Sequence, residues 1–224
     1  IAKTALFTET QTFTGDLNLT DAEVADGVML TTTAAKLHGL AITDTGTASV
    51  VLTALESTLD ANLSGVVVDG IFTAALDSSD GVTVAAAANL GTATVNIAGT
   101  NTVTIAAGAT VDAAILHMAE ASTITGAAAE LSGVETTDTG SDGTVTITAL
   151  EATLGADLST IVAGTITAAL ATGDTAKEIA AGAKLGTATV NIAGTGTVTV
   201  AAGATVGAAN LHMVDAGTIT GAAA

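Results

Sequence analysis

The chain contains a near-copy of itself. Leu90–Ala129 and Leu185–Ala224 are identical at 33 of 40 positions, at a constant offset of 95 residues. The likeness runs upstream, where Thr53–Ser64 (TALESTLDANLS) aligns with Thr148–Ser159 (TALEATLGADLS) at the same offset. Farther back, the Thr-Asp-Thr-Gly ending at Gly46 matches the one ending at Gly140, an offset of 94, so one residue is inserted in a loop between. In an ordinary globular core nearly every position has its own surroundings. A chain that repeats on this scale is instead a stack of like units, each burying its apolar face against a neighbour.

A finer period lies inside the long one. Thr-x-Thr triplets begin at Thr102, Thr123, Thr144 and Thr165, a constant step of 21, and the next begins at Thr187. Thr92 to Thr102 and Thr187 to Thr197 are steps of 10, about half as long. Within the triplets Thr alternates with Val or Ile at period two, which is a strand signal. The expected fold is therefore mostly β: an elongated β-solenoid with a coil of 21 residues and two strands per coil. The long repeat then spans about four and a half coils, placing equivalent residues on opposite faces.

Two segments fit a second pattern. Leu52, Leu55, Leu59 and Leu63 fall at helical spacing, as do Ile147, Leu150, Leu154, Leu158 and Ile161. Short helices over 51–63 and 147–161 compete there with solenoid corners that each point one leucine inward. Residues 1–27 match the repeat poorly and read as a cap or junction; 28–122 form a first repeat, and 123–224 a second with the start of the next. The copy ends in mid-repeat at Gly221-Ala-Ala-Ala224, whereas Gly126-Ala-Ala-Ala129 runs on into Glu130-Leu-Ser-Gly-Val134. The expectation is a segment of a longer periodic protein, or a processed subunit.

Composition agrees with thin, regular layers. Hydrophobic residues make up 49% of the chain but aromatics only 1%, so Ala, Val, Leu and Ile must fill the interior. Proline, which would remove a ladder hydrogen bond, is absent. With 22 acidic residues against four lysines the net charge is −18, which repels nucleic acid and anionic lipid at long range. No apolar run is long enough to span a bilayer. Nucleic-acid binding and membrane insertion are therefore not expected.

Three groups of residues could carry chemistry. Asp77, Asp80, Asp138 and Asp142 sit with Ser and Gly in tight turns, offering the oxygen ligands that calcium takes. The competing explanation is that Asp and Ser occupy turns because they hydrogen-bond the local backbone. His117 and His212 are repeat equivalents in Leu-His-Met, and His38 stands in Lys-Leu-His-Gly; their neighbours are apolar, so a duplicated structural position explains them. The Thr-x-Thr set (Thr102, Thr104, Thr123, Thr125, Thr144, Thr146, Thr165, Thr167, Thr187 and Thr189) could stack as one outward rank on an ice- or surface-binding face. Against this, Thr alternates with Val in any half-exposed strand. Gly-x-Ser-x-Gly, His-Glu-x-x-His and phosphate-cradling loops are missing, so no enzyme is expected.

Thr123-Ile-Thr-Gly-Ala-Ala-Ala-Glu-Leu-Ser-Gly-Val134 and Leu30-Thr-Thr-Thr-Ala-Ala-Lys-Leu-His-Gly-Leu40 resemble the Thr-Ala-Ala-Glu-Leu repeats of phage tail fibres and of very large bacterial surface proteins. The resemblance covers about half the chain and rests on low-complexity motifs. It implies extracellular, β-rich scaffolding, adhesion or surface-layer roles, and brings no catalytic residues. The resulting expectation is a structural subunit of an extracellular filament, sheath or surface layer that assembles with itself head-to-tail through β-edge stacking. Contact with a cell surface or polysaccharide would be secondary, and an adhesin or ice-binding solenoid is the alternative.

Overall fold

In a computed structural model the chain is a β-solenoid of about nine turns, with only two short helices among the described residues. The structure describes residues 4–15, 19–55, 58–76, 81–111, 113–150, 156–170, 176–192 and 197–221. Every strand pairing among them is parallel, as winding in one sense requires.

The strands gather into four sheets. The first holds Thr4–Phe7, Asp21–Val24, Ala41–Asp44 and Val66–Val67. The second has seven strands: Gln11–Thr12, Met29–Thr32, Ser49–Leu55, Phe72–Leu76, Thr94–Ile97, Ile115–Met118 and Glu135–Asp138. The third has eight: Thr58–Leu59, Val82–Val84, Thr102–Ile105, Thr123–Gly126, Thr144–Leu150, Thr165–Leu170, Thr189–Ile192 and Asn210–Met213. The fourth holds Ala176–Ile179, Thr197–Val200 and Thr218–Gly221.

The chain's path shows how these sheets share the surface. From Ser49 one turn visits the second sheet, the third, a corner at Asn62, the first sheet, and then the second again at Phe72. Later, Thr160 and Val162 bond to Thr136 and so continue the side of the second sheet beyond its last strand. The fourth sheet comes after the third and before the corner at Lys184, as the first sheet comes between third and second. First and fourth sheets thus occupy one side at successive heights, and the solenoid has three sides rather than two.

This corrects the expected geometry of the long repeat. Thr94–Ile97 lies in the second sheet and its copy Thr189–Ile192 in the third; Thr102–Ile105 lies in the third and its copy Thr197–Val200 in the fourth. Ala41–Asp44 and Glu135–Asp138 likewise belong to the first and second. Each copy is turned by one side of three. Equivalent residues therefore face adjacent sides, not opposite ones.

Alternation buries the interior. In Thr94–Ile97 the odd-numbered Val95 and Ile97 point inward, in Thr123–Gly126 Ile124 does, and in Thr144–Leu150 Val145 and Ile147 do. These aliphatic side chains form one continuous core along the solenoid. Near its first turn the rings of Phe7 and Phe13 meet edge-on, their centroids 5.1 Å apart. That is where the sequence places its cap or junction segment.

Helices over 51–63 and 147–161 are not formed among the described residues. Ser49–Leu55 and Thr144–Leu150 are strands, and Asn62 and Asp157 are corner bridges. Leu150 at the end of its strand and Leu158 and Ile161 at the next corner are all buried, so strand and corner together place inward residues on what reads as one helical stripe. Leu154 lies outside the described residues. The two helical turns are Ala34–Leu37 and Ala128–Leu131, each burying one Ala and one Leu.

Candidate functional site

The third sheet sets its threonines in register. Thr102, Thr123, Thr144 and Thr165 pair in succession, and Thr104, Thr125, Thr146, Thr167 and Thr189 form a second column beside them. Each faces outward, between inward Val and Ile neighbours. The columns are two residues apart along a strand, ~6.6 Å, and the rungs repeat at ~4.8 Å along the axis. Thr187 lies two residues before its strand, which begins at Thr189, and so stands outside the ladder. Thr83, which pairs with Thr104, extends the second column. Its triplet reads Gly81-Val-Thr83, so the Thr-x-Thr pattern misses it; stepping back 21 residues from Thr104 would have found it.

Charge is kept off this face. The strands from Val82 to Met213 in the third sheet carry no Asp, Glu, Lys or Arg, and their one ionisable side chain is His212. By contrast the first sheet carries Asp21, Glu23 and Asp44. In a chain of net charge −18, an uncharged side bearing a regular grid of methyl and hydroxyl groups is the most distinctive surface. The triplets out of step with it go elsewhere: Thr94 lies in the second sheet, and Thr197, Thr199, Thr218 and Thr220 in the fourth.

The candidate calcium turns resolve differently. Asp77 and Asp80 lie outside the described residues. Asp138 Oδ1 accepts the backbone N–H groups of Gly140 (3.2 Å) and Ser141 (3.1 Å), and Oδ2 accepts those of Gly143 (3.0 Å) and Gly164 (2.9 Å). Oδ1 thereby closes the turn, and Oδ2 clips it to the following coil. The same device occurs in the first copy, where Asp44 Oδ2 accepts from Ala48 (3.1 Å) and from Asp69 in the following coil (3.0 Å). Asp142 stands in the same turn as Asp138. Among the described residues no three His, Cys, Asp or Glu side chains converge as a metal would require.

That turn also absorbs the inserted residue. Asp44 reaches four residues ahead in its own turn, to Ala48, whereas Asp138 reaches five, to Gly143. The extra length is taken up at Ser141, whose φ of 60° is the sole positive value outside glycine among the described residues.

The histidines serve local bonds. His38 Nδ1 accepts the Asn62 N–H at 3.1 Å, His117 Nδ1 lies 2.6 Å from Thr137 Oγ1, and His212 Nδ1 lies 3.2 Å from Asn191 Oδ1. Asn62 and Asn89 bridge adjacent coils at one corner, and their copies Asp157 and Lys184 do so at another. There Lys184 Nζ donates to Asp157 Oδ2 at 2.6 Å. This bond, and those from Ser159, lower the Asp157 carboxyl to about 2. Comparison with family models, characterised proteins and solved structures returns no match.

Proposed function

We propose that the chain is a structural segment of an extracellular fibre, sheath or surface layer, with no catalytic role. The observation carrying this reading is the unbroken stacking. Parallel ladders and one aliphatic core run through about nine turns, and the long repeat maps each sheet onto the next without interrupting either. Such a body gains length by adding turns, each satisfying the backbone groups of the last. Sheet edges, ordinarily an aggregation hazard, become the contacts by which it grows. The acidic surface keeps neighbouring fibres apart, and calcium draws them together by screening. Cell-surface or polysaccharide contact would fall to the uncharged side.

The test is negative-stain electron microscopy and sedimentation velocity of the purified chain, with and without millimolar calcium. Fibres or sheets are expected, with calcium promoting their lateral bundling. A monomer at all concentrations up to the millimolar range would overturn the structural reading.

The two in-register threonine columns favour one second reading, an adhesive or ice-binding module. A rigid grid repeating at ~4.8 Å suits a ligand that is itself a lattice. Shaping of ice crystals by the monomer, abolished by Thr125→Lys with Thr146→Lys, would support it.

A further inference from the structure

The side that carries the first sheet steps inward part-way along the solenoid. Eight residues, 64–71, lie between Leu63 and the strand that begins at Phe72, but only three, 91–93, lie between Leu90 and the strand that begins at Thr94. The longer connection forms the outer strand Val66–Val67, and the shorter one turns its corner at once. The Asn89 carbonyl accepts the Leu63 N–H at 2.8 Å, and Gly91 lies so close that a Cβ there would stand 2.8 Å from the Leu63 carbonyl oxygen. Beyond Ser64 the next coil has turned away towards the second sheet. Val66–Val67 is therefore the last strand of the first sheet, although many coils follow it.

The step leaves an open edge and a groove together. Gly65 O accepts the Ile42 N–H at 2.8 Å on one edge, which turns the Val66 carbonyl and the Val68 N–H to the other. No strand follows on that edge among the described residues. Over it opens a groove of about 360 Å³, with Val66, Val67 and Val68 as its ledge and Thr92, Thr110 and Ala113 as its floor. No charged or aromatic side chain lines it. The step recurs in the second copy, where six residues, 159–164, follow Leu158 and three, 186–188, follow Leu185 before the next strand. Val67 is 63% exposed and its copy Val162 57%, so the ledge belongs to the repeat.

We infer that this groove takes one extended, uncharged peptide strand of another protein, which adds to the open edge of Val66–Val67 and continues the first sheet. Three observations name the occupant. A carbonyl and an N–H left open in strand geometry are matched by a second backbone. The floor of small side chains leaves room for β-branched residues, and offers a sugar ring no aromatic face. The net charge of −18 repels an acidic segment, while the groove itself holds no carboxylate to anchor a basic one. Few hydrogen bonds are formed, so the binding is weak and gains from repetition of the ledge. This docking role is independent of the scaffold reading.

Hydrogen exchange of residues 64–69 tests it, with a capped Thr-Val-Thr-Val peptide that has the sequence of Thr197–Val200 as the probe. Exchange of the Val68 N–H is expected to slow about tenfold with the peptide at roughly ten times its Kd. The same peptide methylated on every backbone nitrogen cannot donate, and should give no protection. Ala113→Lys fills the floor from an exposed position; it should abolish the protection without moving the urea midpoint. Equal protection by both peptides would make the ledge a merely apolar patch and overturn strand addition. Absence of protection by either, or full protection in the Ala113→Lys variant, would overturn the site itself. Protection at other strand edges does not count for it. Fibre formation by the parent chain is read separately in the microscope, so the scaffold reading survives or fails on its own.

Discussion

Asp138 does more than its half-buried place at the end of a strand suggests. Its carboxylate takes four backbone N–H groups, two of them at 3.0 Å or closer, and one of these belongs to the next coil. Bonds to a charged acceptor contribute more than neutral ones. Asp138→Ala should therefore cost about 2–3 kcal/mol in urea denaturation, with Asp138→Asn retaining part of the stability. Gly164 is tied to the same clip. A Cβ there would collide with the Ser141 carbonyl, as one at Gly70 would with the Ala48 carbonyl in the first copy.

The corner pair gives a second residue-scale expectation, with a defined sign. Asp157 is held down to about 2 chiefly by the Lys184 hydrogen bond, then by the Ser159 hydroxyl and amide, against 3.8 for an ordinary aspartate. A carboxyl whose folded value is lowered stabilises the fold fully above its unfolded value, and that contribution fades as pH falls from about 4 through 2. Both side chains are partly exposed, so the pair is worth no more than about 1 kcal/mol. Restoring the first copy's residues with D157N/K184N should flatten the pH dependence of stability between pH 5 and 2. At neutral pH it should change the urea midpoint little.

At the scale of the element, one strand sequence occurs in two surroundings. Ile115–Met118 and Asn210–Met213 share Leu-His-Met, yet one lies inside its sheet and the other is its last strand. Leu116→Ala leaves a cavity in a closed layer and should cost about 2–5 kcal/mol. Leu211→Ala in the monomer removes a side chain that is only partly buried and should cost less, about 1 kcal/mol. Parallel chemical denaturation of the two variants checks this, and equal losses would mean that the last turn is covered in solution.

The strands of the third sheet were legible in the sequence because period-two alternation of Thr with Val or Ile survives in most of them. Thr104, Thr125, Thr146 and Thr167 could be aligned from spacing alone, and their pairing follows it residue for residue. The helical turns were not legible, since four residues at Ala34–Leu37 or Ala128–Leu131 are too few to establish a period. The leucines of 51–63 and 147–161 misled for a physical reason. A strand end and a corner that both point inward reproduce helical spacing without a helix. Asp138 was singled out as a possible calcium ligand in an Asp/Gly turn, whereas its bond to Gly164 spans 26 positions and leaves no local trace.

For the whole molecule, the third side was the hidden quantity. In the middle coils it holds no strand among the described residues, only single-residue bridges such as Asn89 and Thr110, which are too short to alternate. Two strands per coil were therefore visible and the third contributor was not, which turned a step of one side in three into an apparent half-turn. The aliphatic core was anticipated from composition, because small side chains suit an interior only a few layers thick.

The one-side step also bears on how such a chain can change through recombination. Identical stretches separated by 95 residues invite unequal crossing-over that deletes or adds a unit. The product would still close its layers, because every unit presents the same inward side chains. Yet everything downstream would be re-aimed by a third of a revolution, like a dial advanced one click. A lineage could in this way move its uncharged threonine side to a new bearing without altering a single codon within it.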